Sequence, residues 1–292
     1  MKRLLKSFFF KLSRDLTFRI VLIIGAGLAF FMTGLYLLID LGIEGLTEGE
    51  VESMKFLTGP NMLLTSFNPT SNFGLAIPVC LITFICLEFS QGAIRNKIIA
   101  GHSKFKIYLS LMISGLVLAF ALLLIYCGLC TLLGTIFGGF NLDNPVIIIT
   151  LSIAGAYAEP LYIWQMVITA IVVYICIVSY TIFFAALFRS VGPCIPVVIL
   201  VLIMLSFGGS IISMIGEVLE DDTLVNVVKF TNPLYVISGG GTEMTNVVTN
   251  DSFKQYISLE TSSFVGTIVC NLVYAGLFFT GGALIFMKRD VK

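Results

Sequence analysis

The sequence predicts an all-α integral membrane protein with six transmembrane helices, and three observations carry that prediction. Apolar residues make up 58% of the 292 and mean hydropathy is +1.02. Charged residues are only 12%, about half the share of a soluble domain. Six apolar runs approach or exceed the ~20 residues that cross ~30 Å of hydrocarbon. A soluble fold of this length could not hide that much apolar surface.

The elements follow in chain order, all within one domain over residues 1–292. Residues 3–16, "RLLKSFFFKLSRDL", have helical periodicity. Leu5, Phe8, Phe9, Leu12 and Leu16 fall on one face, with basic residues largely on the other. Residues 1–19 therefore read as a helix lying in the inner membrane interface, either as a simple anchor or as an anchor that also meets a partner. The first span, Ile20–Ile39, is too long for the apolar core of a signal peptide, and no small-x-small cleavage site precedes the acidic loop that follows. Residues 40–70 form an outer loop that ends in the turn-rich "GPNMLLTSFNPT". The second span, Ser71–Leu87, is short and contains Pro78, which a membrane helix tolerates when neighbours satisfy the freed carbonyl. A charged segment, 88–106, leads to the third span, Ile107–Phe137, long enough to tilt or project. Leu161–Phe188, Cys194–Ile215 and Ser263–Met287 complete the six. Residues 217–262 form a second outer loop.

The apolar piece Val146–Ala158 is too short to span and is bracketed by Pro145 and Pro160. Charge decides its status. With six spans and the N-terminus inside, the cytoplasmic parts 1–19, 88–106, 189–193 and 288–292 hold six, four, one and three Lys/Arg, which is 14 of the 17. Counting Val146–Ala158 as a span would move Arg189, Lys288, Arg289 and Lys292 outside, against the positive-inside rule. The segment is expected to be re-entrant or interfacial on the outer side. Both termini are expected in the cytoplasm, and the compartment is expected to be a bacterial plasma membrane.

Several chemistries find no support. Zero net charge and one histidine argue against nucleic-acid binding. No GxxxxGK[ST] is present to cradle a nucleotide, no HExxH or Cys/His spacing points to a metal, and no catalytic constellation is discernible around His102. Cys127-Gly-Leu-Cys130 has the spacing of a redox pair, but it lies mid-span without a basic neighbour. It and the other five cysteines read as small apolar side chains. The span interiors carry no Asp, Glu, Lys, Arg or His, which weakens the case for an ion-coupled carrier. If the chain moves a solute, its energy is expected to come from a partner, and the charged connection between spans two and three is placed to receive it.

Within that connection, Glu88-Phe-Ser-Gln-Gly92-Ala-Ile94-Arg95, followed by Ser103-Lys104, resembles the start of the cytoplasmic coupling helix in the ABC-2 family of ABC-transporter permeases. "NPLY" at Asn232–Tyr235 is similar to the family's proline-aromatic stretch before the last span. The layout fits the family over the whole chain. Ala93 stands where the family often has threonine, and Leu111 where a lysine is common. The resemblance implies a dimer of permease subunits (homo- or heterodimer) in membrane lipid, bound to two cytoplasmic ATPases that hold the ATP and Mg²⁺. This chain would bind no cofactor and would not itself be an enzyme. Glu88, Gly92, Ile94, Arg95, Lys97, Ile98, Ile99 and Lys104 are the expected coupling residues. Glu88 is expected to pair with Arg95, Gly92 to allow a break or a close approach, and the three isoleucines to fill an apolar cleft on the ATPase. The function so implied is the permease of an exporter for an amphipathic or hydrophobic substrate. The alternatives are an immunity or binding protein of the same fold that shields against an antimicrobial peptide, and an ion-coupled carrier. Co-purification of an ATPase, protection that survives ATPase inactivation, and transport driven by an ion gradient separate the three.

Overall fold

Within hydrocarbon a backbone must satisfy its own hydrogen bonds, and the described chain is mostly helical. The computed structural model describes residues 10, 16–46, 56–67, 76–140, 146–148, 153–218, 222–237, 242–249 and 252–288. The helices are α1 (Leu16–Leu46), α2 (Gly59–Ser66), α3 (Ala76–Ser90), α4 (Ala93–Ile99), α5 (Lys104–Gly138), α6 (Pro160–Phe188), α7 (Val191–Val218), α8 (Asp222–Thr231) and α9 (Thr261–Lys288). The strands are β1 (Val146–Ile148), β2 (Ile153–Ala158), β3 (Thr242–Thr249) and β4 (Ser252–Leu259).

Among the described residues, four helices are long and apolar enough to cross a membrane: the Phe18–Gly42 part of α1, α5, α6 and α9. The protein is thus a multi-pass membrane protein. The pair α3 and α4, bent by 55°, meets the same test only when taken together, and α7 carries a shorter apolar stretch, Val191–Leu205. Leu16 opens α1 and is exposed. The other residues of the expected interfacial face, Leu5, Phe8, Phe9 and Leu12, lie outside the described residues.

α6 is the central helix. In its most apolar window 61% is buried, against 28% for α1 and for α9, and it packs on α3, α5, α7 and α9. Pro160 sits in its first turn, where no N–H is needed. Its C-terminus closes on Arg189 in the left-handed region (φ 56°), whose N–H donates to the Ala185 carbonyl. The main core runs through α1, α3, α5, α6 and α7 and includes Ile77, Leu81, Tyr108, Leu118, Tyr174 and Val198. All seven cysteines are buried.

The expected outer loops contain folded elements. The "GPNMLLTS" stretch, expected as loop, is the helix α2, and six of its eight residues are buried. It lies against the end of α5, where Gly134 and Gly138 leave room: a Cβ on Gly138 would overlap the Leu57 carbonyl oxygen, and one on Gly134 would lie 2.9 Å from the Thr58 oxygen. Asp40, near the end of α1, accepts from the Phe56 N–H (2.7 Å) and the Leu57 N–H (3.0 Å), which fixes the entry to α2.

The segment Val146–Ala158, expected as re-entrant or interfacial, folds as the antiparallel strands β1 and β2. β2 continues into a second hairpin in the order β1-β2-β4-β3, with β2 and β4 parallel at Tyr157↔Tyr256 and Ala158↔Ile257. A small sheet is therefore added to the helical bundle. A second apolar cluster, including Leu64, Tyr162, Val228, Tyr235, Val236, Ile257 and Leu259, joins α2, α6, α8 and β4 beneath it.

Candidate functional site

The connection between α3 and α5 is a helical elbow. Gly92 follows α3 with φ 69° and precedes α4. A Cβ there would meet nothing within 4 Å, so this glycine provides a left-handed break and not a close approach. Gly101, at φ 84°, makes the next turn, and Ser103 caps α5.

Glu88 lies in the last turn of α3 and is 2% exposed. An anion is disfavoured there, because unpaired carbonyls make that helix end negative. Its compensation is Lys97, whose ammonium donates to the carboxylate at 2.6 Å from the last turn of α4. The sequence expectation that Glu88 pairs with Arg95 is corrected. That pairing assumed one continuous helix, whereas the 55° bend places Lys97 nine residues on beside Glu88 and leaves Arg95 exposed.

The three isoleucines divide in the same way. Ile94 is fully buried in the main core, and Ile98, one turn on, is half-buried against it. Ile99 faces outward and is 74% exposed. The expectation that all three reach a partner is therefore corrected: at helical spacing Ile94 and Ile98 share the inward face. The outward face carries Arg95, Asn96, Ile99 and Ala100.

The elbow is joined to the rest of the bundle. Phe89 meets Phe286 of α9 edge-on at 6.0 Å, and Phe286 meets Tyr108 of α5 at 5.7 Å. The Arg189 guanidinium lies over the Phe89 ring at 5.7 Å. Lys104 donates to the Met287 carbonyl (3.1 Å), satisfying the end of α9. The sequence reading missed Phe89, Tyr108, Phe286 and Arg189. Their signal was weak: aromatic residues are common in apolar runs, and Arg189 counted only as a positive-inside charge.

A second polar cluster ties α8 to the start of α9. Lys229, 6% exposed, donates to Glu260 (2.6 Å) and also bonds Ser262. Ser263 donates to the same carboxylate at 2.7 Å. The Lys229 bond, reinforced by Ser262 and Ser263, holds the Glu260 carboxyl at about 2, well below its ordinary range. Between the two elements, the "NPLY" stretch is buried. Asn232 donates to the Leu205 carbonyl (3.0 Å) and accepts from the Leu234 N–H (3.0 Å), while Asn271 of α9 donates to the Pro233 carbonyl (2.9 Å). An amide alone in the apolar run Ser263–Met287 was the signal for that contact.

The elbow can serve as a mechanical junction: one face belongs to the core, the other is free, and a buried ion pair clamps the angle between them. No family model, curated protein or solved structure matches this chain.

Proposed function

We propose that the chain is the permease subunit of an ATP-driven exporter of the ABC-2 kind, working in a bacterial plasma membrane on an amphipathic or hydrophobic substrate. On this reading α1, α3, α5, α6, α7 and α9 are six spans, and both termini lie in the cytoplasm. A second permease copy and a pair of cytoplasmic ATPases, which hold ATP and Mg²⁺, complete the assembly. The observation that carries the reading is the clamped elbow, with its buried Glu88–Lys97 pair in the most basic internal connection of the chain. Nucleotide-driven closure of the ATPases would push on the outward face of α4. The ion pair and the Phe89–Phe286 contact would pass that displacement to α3 and α9.

The test is affinity purification of the tagged chain from its native host. A Walker A ATPase should co-purify with the unaltered chain. Ile99→Asp should reduce its recovery at least several-fold at matched abundance, because it places a carboxylate in the apolar part of the contact. If the unaltered chain retains no ATPase, or the isolated chain hydrolyses ATP by itself, the proposal fails.

A further inference from the structure

α8 presents its side chains in an order that water would not select. Its exposed face carries Thr223, Asn226, Val227, Phe230 and Thr231, at the spacing of one helical stripe. Val227 is 52% exposed and Phe230 54%, while Lys229 is only 6% exposed. The Lys229 ammonium turns inward to Glu260 and Ser262, so the exposed face carries no charge. A helix facing water would put the lysine outside and the phenylalanine inside. At the C-terminal end of the face, the Thr231 hydroxyl donates to the Val227 carbonyl (2.5 Å) and needs no water. Thr223 and Asn226 keep the N-terminal end polar.

The neighbouring helix shows which solvent this face meets. α9 is long and apolar enough to cross a membrane. From Val265 to Met287 its exposed residues include no charged side chain. At about 1.5 Å per residue that stretch covers about 33 Å, close to the ~30 Å of hydrocarbon. The Phe230 ring lies against the N-terminal end of the stretch, where a Cβ on Gly266 would stand 2.8 Å from it. Phe230, with Val227 one turn before it, thus continues the apolar surface of α9. Residues Asn232–Ile237, which follow α8, are all buried. Among them the Pro233 carbonyl accepts from Asn271, which lies about 9 Å along α9 from Val265.

We propose that α8 lies in the membrane interface, that phospholipid acyl chains of the leaflet at the N-terminal end of α9 cover Val227 and Phe230, and that the turn after α8 sits within the hydrocarbon. Thr223 and Asn226 stay among the headgroups. Lys229 can be held at that depth because Glu260, just before α9, neutralises it at the boundary. The inference rests on α9 being a span and not on the transporter reading.

Trp164 is the only tryptophan, which permits a direct reading of depth. In a Trp164→Phe background, Phe230→Trp, Val227→Trp and Thr223→Trp are made separately in the full chain. Each protein is placed in nanodiscs of plain phosphatidylcholine, or of phosphatidylcholine brominated near the carbonyl end or near the methyl end of its acyl chains. Iodide serves as the aqueous quencher. Bromine near the carbonyl end should remove most of the emission of Phe230→Trp and Val227→Trp, and bromine near the methyl end should remove less. Iodide quenching of both should be several-fold shallower than that of Thr223→Trp. If Phe230→Trp does not fold, Val227→Trp decides alone. Two results overturn the proposal. Iodide quenching as steep as that of Thr223→Trp would put the face in water. Emission insensitive to both bromine and iodide would put a protein surface, such as a second copy of the chain, over it.

Discussion

Lys97→Met removes the ammonium that bonds the buried Glu88 carboxylate, and the structure sets the size of the effect. The two charges are 2.6 Å apart, with side-chain exposures of 17% for Lys97 and 3% for Glu88. At an effective dielectric constant of about 20, that separation corresponds to about 6 kcal/mol of attraction, much of it offset by removing both ions from water. Removing one partner of a buried pair typically costs about 3–5 kcal/mol. The expected loss for Lys97→Met is therefore about 3–5 kcal/mol. The assay is equilibrium unfolding in mixed micelles by circular dichroism. It covers Lys97→Met, Glu88→Gln, Arg95→Met and the double variant Glu88→Gln/Lys97→Met. Arg95→Met should stay within about 0.5 kcal/mol, and the double variant should recover part of the loss. Equal effects of Lys97→Met and Arg95→Met, or strict additivity in the double variant, would refute the pairing.

Three further outcomes are expected. Ile94→Asp should sharply lower the amount of folded protein, because it buries a carboxylate in the core, whereas Ile99→Asp should leave abundance unchanged; fluorescence-detected gel filtration of tagged variants compares them. Gly138→Ala should destabilise by about 1–3 kcal/mol or more, since its Cβ would displace the Leu57 backbone and with it α2; thermal melting in detergent measures this. The Glu260 carboxyl is depressed to about 2, so its bond to Lys229 stabilises fully above the ordinary carboxylate range of about 4.3 and is lost as pH falls towards 2. Glu260→Gln should therefore flatten the dependence of melting temperature on pH between about 4.5 and 2.5 and leave it unchanged between pH 6 and 8.

The long apolar helices were legible because lipid leaves little choice: a run such as Ile107–Phe137 must be helical, and α5 contains all of it. The termini were less so. α7 starts at Val191 and not at Cys194, because Pro193 is acceptable in a first turn. α2 was hidden because Gly59, Pro60 and Asn61 are turn residues, and nothing local shows that Gly134 and Gly138, far along the chain, leave a groove for them. β1 and β2 failed for another reason: a short apolar run fits a buried strand or a helix piece equally well. The β3–β4 hairpin carried only a weak signal, two stretches with β-branched and aromatic residues on either side of the turn-forming Asn250-Asp251, and it stood inside a segment read as loop. At the elbow, the residue types were legible and their partners were not. Glycine, charge and apolar spacing marked the segment, yet the direction of each side chain depended on a bend that only Gly92's left-handed backbone sets.

That bend also decides how the elbow can act. If 88–106 were a solvated loop, Ile94 would be exposed and Glu88 hydrated, and a push on α4 would be absorbed by the chain. With Ile94 and Ile98 set into the core, α4 cannot roll without unpacking them. With Glu88 and Lys97 paired, it cannot swing away from α3 without separating two poorly hydrated charges. A Cβ on Gly92 would meet nothing within 4 Å, so no side-chain packing holds the backbone break at that point. The stiffness lies in the side chains, on the face opposite Arg95 and Ile99. A partner on that outward face would therefore act on a lever whose shorter arm is already fastened to α3 and, through Phe89 and Phe286, to α9.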